Sequence, residues 1–153
     1  VCLGNICRSP MAEGLFIDLV EKAGLTDHFE IDSAGTSGHH QGELADRRMR
    51  ETAQQHGISL VTRARQFKKA DFSAFDYIAA MDRSVLRAIQ DQRRIESPGA
   101  ANVFLMRDYD GAADSLDVPD PYYGGKEGFE EVFQILARSN QQFLEHLRKT
   151  HSL

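Results

Sequence analysis

The chain has 153 residues, 41% of them hydrophobic and 27% charged, with a net charge of −5. That length suits one domain around one core, the acidic balance gives no overall pull toward nucleic acid or an anionic membrane, and no apolar run approaches the roughly 20 residues needed for membrane insertion. Two cysteines are not a disulfide framework, and with no signal-like stretch at the start the expected compartment is the cytoplasm.

The first element is a loop, Cys2-Leu3-Gly4-Asn5-Ile6-Cys7-Arg8-Ser9, with a helical pattern directly after it. A cysteine and an arginine at this spacing build a cradle for a phosphate dianion. The sulfur lies at the bottom, the guanidinium at the rim, the loop N–H groups point inward and a helix N-terminus stands behind. Such a field favours a thiolate, and a thiolate facing a phosphate ester can take the phosphoryl group onto sulfur. Gly4 can adopt positive φ and let backbone approach a ligand. Asn5 tolerates the left-handed region and can hold the loop's shape. Arg8 presents a planar fork that matches two phosphate oxygens. Ser9 reads as an N-cap whose hydroxyl can also stabilise a leaving thiolate, and Pro10 as the first helical residue.

Pro10 to Ala23 then sets Met11, Ala12, Leu15, Phe16, Leu19 and Val20 on one helical stripe, with Gly24 as the stop. Phe29 to Ser33 reads as a short strand entering a loop over Ala34 to Gly42, and Leu44 to His56 as a charged helix ending at Gly57. Tyr77 to Met81 is a brief apolar strand, Arg83 to Gln92 a helix and Ala101 to Met106 another strand. Asp120 lies between Pro119 and Pro121, as a turn residue or as the acid that a phosphoryl transfer to Cys2 requires. Gly128 to Thr150 is a long amphipathic helix with acids early and bases late, as its dipole favours. Strands alternating with helices imply a parallel sheet with helices on both faces, and ligands beyond the strands' carboxyl ends. The basic residues Arg47, Arg48, Arg50 and Arg63 to Lys69 read as a solvated face, part of which could steer acidic phosphopeptides. His39-His40 without a third ligand at suitable spacing makes no metal site, and no cofactor is expected.

Val1 to Gly14 resembles the phosphate-binding loop of the low-molecular-weight protein tyrosine phosphatases. Asp32-Ser33-Ala34-Gly35-Thr36, the stretches His56-Gly57-Ile58 to Ala64-Arg65-Gln66 and Phe75-Asp76-Tyr77-Ile78 with Met81-Asp82, and Val118-Pro119-Asp120-Pro121-Tyr122-Tyr123-Gly124 are similar to family motifs in the family's order. The resemblance covers essentially the whole chain. It implies an α/β three-layer sandwich, one domain over residues 1–153, with a four-stranded parallel sheet in the order 2-1-3-4. It also implies a buried strand before Cys2, so that a short apolar segment preceding Val1 is expected in the natural protein. By the same resemblance Cys2 is the nucleophile and Asp120 the general acid, later the base. Leu3 to Ser9 bind phosphate, Ser33 and Asp82 support the loop around Asn5, and His39, Tyr122 and Tyr123 line the substrate cleft. His39 stands where relatives often carry an aromatic, and Thr62 where many carry a histidine near the loop asparagine.

The implied activity is metal-independent hydrolysis of phosphotyrosine in proteins through a cysteinyl phosphate, with inorganic phosphate and vanadate-like anions as ligands. Cys2 and Cys7 on one loop suggest a reversible disulfide under peroxide. Three alternatives compete. Arsenate reductases of this fold use further cysteines, and none follows Cys7. Protein-arginine phosphatases typically have threonine where this chain has Ile6. A non-catalytic phosphoprotein-binding or redox-sensing module would be expected to lack Cys2, Arg8 or Asp120, and all are present.

Overall fold

A computed structural model describes residues 1–96 and 99–153 of the chain. Its helices are α1 (Arg8–Lys22), α2 (Arg47–Gln55), the single turn α3 (Asp71–Ala74), α4 (Arg83–Glu96) and α5 (Lys126–His151); its strands are β1 (Tyr77–Ala80) and β2 (Asn102–Leu105). Short 3₁₀ turns cover Thr26–His28 and Met106–Tyr109.

The layering follows from alternation along β1. Tyr77 and Ala79 face a core built from α1 and α5, while Ile78 and Ala80 face a second cluster with Phe72, Val85 and Ile89. Side chains of a strand point to opposite faces in turn, so a strand apolar at every position is covered on both sides. Helix α5 buries Phe129, Val132, Leu136, Phe143 and Leu147 at helical spacing, and Phe143 meets Phe16 of α1 with ring centroids 5.6 Å apart. All four methionines, Met11, Met49, Met81 and Met106, lie buried in the α1–α5 core.

β1 and β2 pair in parallel, from Tyr77↔Asn102 to Ala80↔Leu105. The ladder extends beyond them through single bridges instead of full strands. Val1 N donates to Ala79 O at 2.7 Å and Val1 O accepts from Met81 N at 2.9 Å, placing Val1 beside β1. Cys2 bridges Gly35 in parallel, and Gly35 in turn bridges Gln66. Among the described residues the regular sheet therefore has two strands, where the resemblance implied four. Phe29 to Ser33 is irregular, not a strand. Phe29, Ile31 and Ala34 border a cavity of about 410 Å³ that also touches Val1, Tyr77 and Phe143.

Helix starts also differ from expectation, α5 by beginning at Lys126 and not Gly128. α1 begins at Arg8, with Cys7 as an N-cap that makes no side-chain cap bond. Ser9 is thus already inside the helix and its hydroxyl is spared from capping. α2 begins only at Arg47, because Asp46 caps it by accepting from Arg48 N at 2.8 Å; Leu44 instead pairs with Arg63 in an antiparallel bridge.

Candidate active site

The buried Cys2 sulfur accepts the backbone N–H of Asn5 at 3.2 Å and stands 3.0 Å from Ser9 Oγ. Asn5 shapes this arrangement. It is left-handed, with φ of 56°, a region Asn tolerates because its side chain can bond locally. Its amide donates to Ser9 Oγ at 2.8 Å and Ser33 Oγ at 2.9 Å, and its Oδ1 accepts from Arg65 N at 2.9 Å. Ser9 Oγ accepts a hydrogen bond from Asn5, so its own proton is free to face the sulfur at 3.0 Å, the direction that stabilises a thiolate, with Ala34 O a more distant acceptor at 3.4 Å. Of the two positions able to turn left-handed, Gly4 and Asn5, it is Asn5 that does so. At Gly4 the requirement is space, since a Cβ would stand 3.1 Å from Cδ2 of His40. Gly35 is tighter: a Cβ there would lie 2.8 Å from Leu3 O and 3.0 Å from Asn5 N.

Ser33 passes the chain of bonds on, donating to Glu13 Oε1 at 2.8 Å. Burial pushes the Glu13 carboxyl up, with hydrogen bonds from Ser33 and Thr62 pulling it back. Sequence reasoning missed Glu13. The available signal was its place one helical turn after Ser9, on the face of α1 that meets the loop. Thr62, noted as a replacement for histidine, bonds this carboxyl.

Arg8 is 4% exposed. Burial works against its charge, but the opposing charge of Cys2 and the hydrogen bond to Asp82 more than compensate and raise its pKa. Its Nη1 donates to Asp82 Oδ2 at 2.6 Å and to Val118 O at 3.0 Å. Asp82 also caps α4, accepting from Val85 N at 2.7 Å. The expected cap is present, and the carboxylate holds Arg8, not Asn5. Arg8 Nη2 lies 3.7 Å from Asp120 Oδ2.

Asp120 is 41% exposed and its other oxygen accepts from Tyr122 N at 3.1 Å. It is a turn residue and a carboxylate at the site together. Asp117 is engaged elsewhere: Arg83 bonds it through backbone and guanidinium and holds its carboxyl below the usual range. Cys7 is buried, and burial, followed by the charges of Asp46 and Cys2, pushes its thiol far up. Cys7 is thus held as the thiol, and the thiolate is the reactive form.

The rim is formed by Ile6, His40, Ala45 and Tyr122 around a shallow depression. Tyr122 stands 6.5 Å from the His40 ring, centroid to centroid. Its backbone oxygen accepts from Arg48 at 3.0 Å, and that guanidinium lies 4.6 Å from the ring of Phe129 and is paired with Asp46. Tyr123 is 91% exposed. His39 is exposed and stacks edge-on against His40 at 4.9 Å, so His40, not His39, borders the depression. Much of the basic run is engaged internally, Arg65 with Asp32 and Asp71 for example. Among the described residues no cluster of side chains suited to a metal ion occurs, and no helix is long and apolar enough to cross a membrane.

A cysteine and an arginine on one helix-backed loop, faced by an aspartate on another, define a phosphatase of the cysteine-dependent class. The whole chain, residues 1–153, matches the family model described as low molecular weight phosphotyrosine protein phosphatase. It is 47% identical to a low molecular weight protein-tyrosine-phosphatase of Streptomyces coelicolor, over 97% of this chain and 92% of that protein. The crystal structure of a protein tyrosine phosphatase from Entamoeba histolytica, with Hepes in its active site, superposes with a TM-score of 0.89 at 36% identity, covering 98% of this chain and 95% of that one. A Drosophila arginine phosphatase superposes with a TM-score of 0.91 at 33% identity, covering 96% and 94%. The chain belongs to the low-molecular-weight phosphotyrosine protein phosphatase family, and it is a protein-tyrosine-phosphatase, a hydrolase.

Proposed function

We propose that Cys2, Arg8 and Asp120 carry the hydrolysis of phosphotyrosine in proteins. The Cys2 thiolate attacks phosphorus and a sulfur–phosphorus bond forms. The bond from phosphorus to the tyrosyl oxygen breaks, and the Asp120 proton moves to that oxygen. Water then attacks the cysteinyl phosphate, giving its proton to Asp120, and the thiolate departs toward the Ser9 hydroxyl. Backbone N–H groups of Leu3 to Ser9 and the Arg8 fork stabilise the charge on the transferring group, so inorganic phosphate and vanadate-like anions are expected ligands. The observation that carries this reading is the Cys2 sulfur held between the Asn5 N–H and the Ser9 hydroxyl, with Arg8 and Asp120 3.7 Å apart at the same loop. Cys2→Ser should abolish turnover while vanadate binding survives. Asp120→Asn should slow enzyme phosphorylation by about 10²–10⁴. That loss should be smaller for p-nitrophenyl phosphate, whose leaving group departs readily as an anion, than for phenyl phosphate. A mutant with the wild-type leaving-group dependence would remove Asp120 from the acid's role.

Phosphoarginine is a second reading, favoured by the likeness to the Drosophila arginine phosphatase. Against it stands Ile6, an apolar β-branched side chain at the depression, which offers nothing to a guanidine nitrogen and suits an aryl ester. Phosphotyrosine peptides should have the higher kcat/KM; preference for phosphoarginine peptides reverses the assignment. Several further properties belong to the same proposal. The fold is one domain with sheet order 2-1-3-4, supported by the Cys2–Gly35 bridge and the Val1 bonds to β1. Ser33 supports the loop, and Tyr122 and His40 form the cleft wall, with Tyr123 and His39 beside them. The enzyme is cytoplasmic, and Cys7 rescues oxidised Cys2 as a disulfide. Cys7→Ser should then leave basal activity near normal yet slow recovery from peroxide; equal recovery would leave Cys7 a packing role.

A further inference from the structure

Asp110 has a side chain with 0% exposure, and it lies between two arginines. Arg138 of α5 meets both its oxygens at 3.0 and 3.1 Å, and Arg107, itself 3% exposed, meets Oδ2 through Nε at 3.2 Å and Nη2 at 3.0 Å. A buried ion pair is weak evidence for stability, because apolar residues of similar volume often do as well. What an arginine supplies that an apolar residue cannot is direction. With one edge of its planar fork fixed on Asp110, the remaining nitrogen can point only one way. That nitrogen, Nη1, donates to Asp117 O at 2.9 Å. The next residue is tied as well: Val118 N donates to Met81 O at 2.8 Å and Val118 O accepts from Arg8 at 3.0 Å. Pro119 follows with its fixed φ, and then Asp120.

We propose that Arg107, clamped by Asp110, is a positioning residue that sets where the Asp120 carboxylate stands relative to Cys2 and Arg8. The inference rests on the reading of Asp120 as the acid. Arg107 touches no reacting atom; it fixes the backbone three residues upstream, so its loss shifts the carboxylate and weakens proton donation without removing the phosphate cradle.

The test is single-turnover phosphorylation of the enzyme by phenyl phosphate and by p-nitrophenyl phosphate, for wild type, Arg107→Met, Arg107→Lys, Asp114→Asn and Asp120→Asn. Misplacing a catalytic group by about 1 Å can cost on the order of 10²-fold. Both Arg107 variants should therefore lose roughly 10- to 100-fold with phenyl phosphate and several-fold less with p-nitrophenyl phosphate, at nearly unchanged KM. Lys keeps the charge facing Asp110 but lacks the fork, so it carries the test if Arg107→Met does not fold. Asp114→Asn removes an exposed partner of Arg107 and should behave as wild type. Equal losses for both substrates would make Arg107 merely structural and overturn the inference. If Asp120→Asn shifts the substrate ratio and the Arg107 variants do not, the inference alone falls. If Asp120→Asn also keeps the wild-type ratio, the acid assignment falls and the inference with it.

Discussion

Asn5 commits both its amide donation and its carbonyl to the loop, to Ser9, Ser33 and Arg65. Replacing it by Ala strands those partners, at about 1–3 kcal/mol for each buried group left unsatisfied, and puts a Cβ residue in the left-handed region at roughly 1–2 kcal/mol. Asn5→Ala should lower the urea midpoint and reduce kcat together. Asn5→Gly relieves the backbone cost alone, so it should recover stability without recovering kcat. At Gly35 the cost is steric: Gly35→Ala pushes against the backbone of Leu3 and Gly4, and overpacking of this kind typically costs about 1–3 kcal/mol. The identity of the residues in this loop was legible in the sequence because phosphate chemistry demands those types at that spacing. Their division of labour was not. Whether Gly4 or Asn5 goes left-handed, and whether Ser9 caps the helix or faces the sulfur, depends on helix α1 starting at Arg8. Glu13 was invisible for a related reason: a carboxyl within an amphipathic helix reads as solvent-facing until Ser33 and Thr62 are brought against it.

At the scale of elements, α2 links the loop to Tyr122 at the rim of the depression. Asp46 N donates to Ile6 O at 2.7 Å, and its carboxylate caps α2 and grips Arg48, which holds Tyr122 O. Asp46→Ala should cost about 1 kcal/mol as a lost cap. It should also raise KM for a phosphotyrosine peptide more than it lowers kcat, because Tyr122 loses its restraint while Cys2 and Asp120 keep theirs; an unchanged KM would separate α2 from the cleft. Helices α1, α4 and α5 were readable from their 3.6-residue apolar stripes, which report burial directly. Strands were less so. β1 and β2 were found because both faces are covered, whereas Phe29–Ser33 has only Phe29 and Ile31 as apolar residues, alternating with Glu30 and Asp32, and is irregular.

For the molecule as a whole, acid sensitivity is set by carboxylates bound to arginines. Burial opposes ionisation of Asp110, but Arg138, the Ala112 N–H and Arg107 outweigh it and hold its pKa below the usual carboxylate value; Asp46, through Arg48, behaves alike. Such groups bind fewer protons folded than unfolded. Their stabilisation is complete above the unfolded value of about 3.9 and is lost as pH falls through the folded values. Glu13, pushed the other way, works against them, its contribution fading as pH rises through its raised pKa. Urea midpoints should fall as pH drops below about 4, and Asp110→Asn should flatten that dependence while lowering stability throughout; an equally steep profile in the mutant would place the acid sensitivity elsewhere. The sealed methionines add a chemical clock to this picture. All four sit in one core, but Met81 and Met106 line the cavity beside β1, whereas Met11 and Met49 are fully buried away from it, so the thioethers of these two meet peroxide when that core opens. Sulfoxide accumulation followed by mass spectrometry should therefore age the protein in step with its unfolding, and speed up in Asp110→Asn.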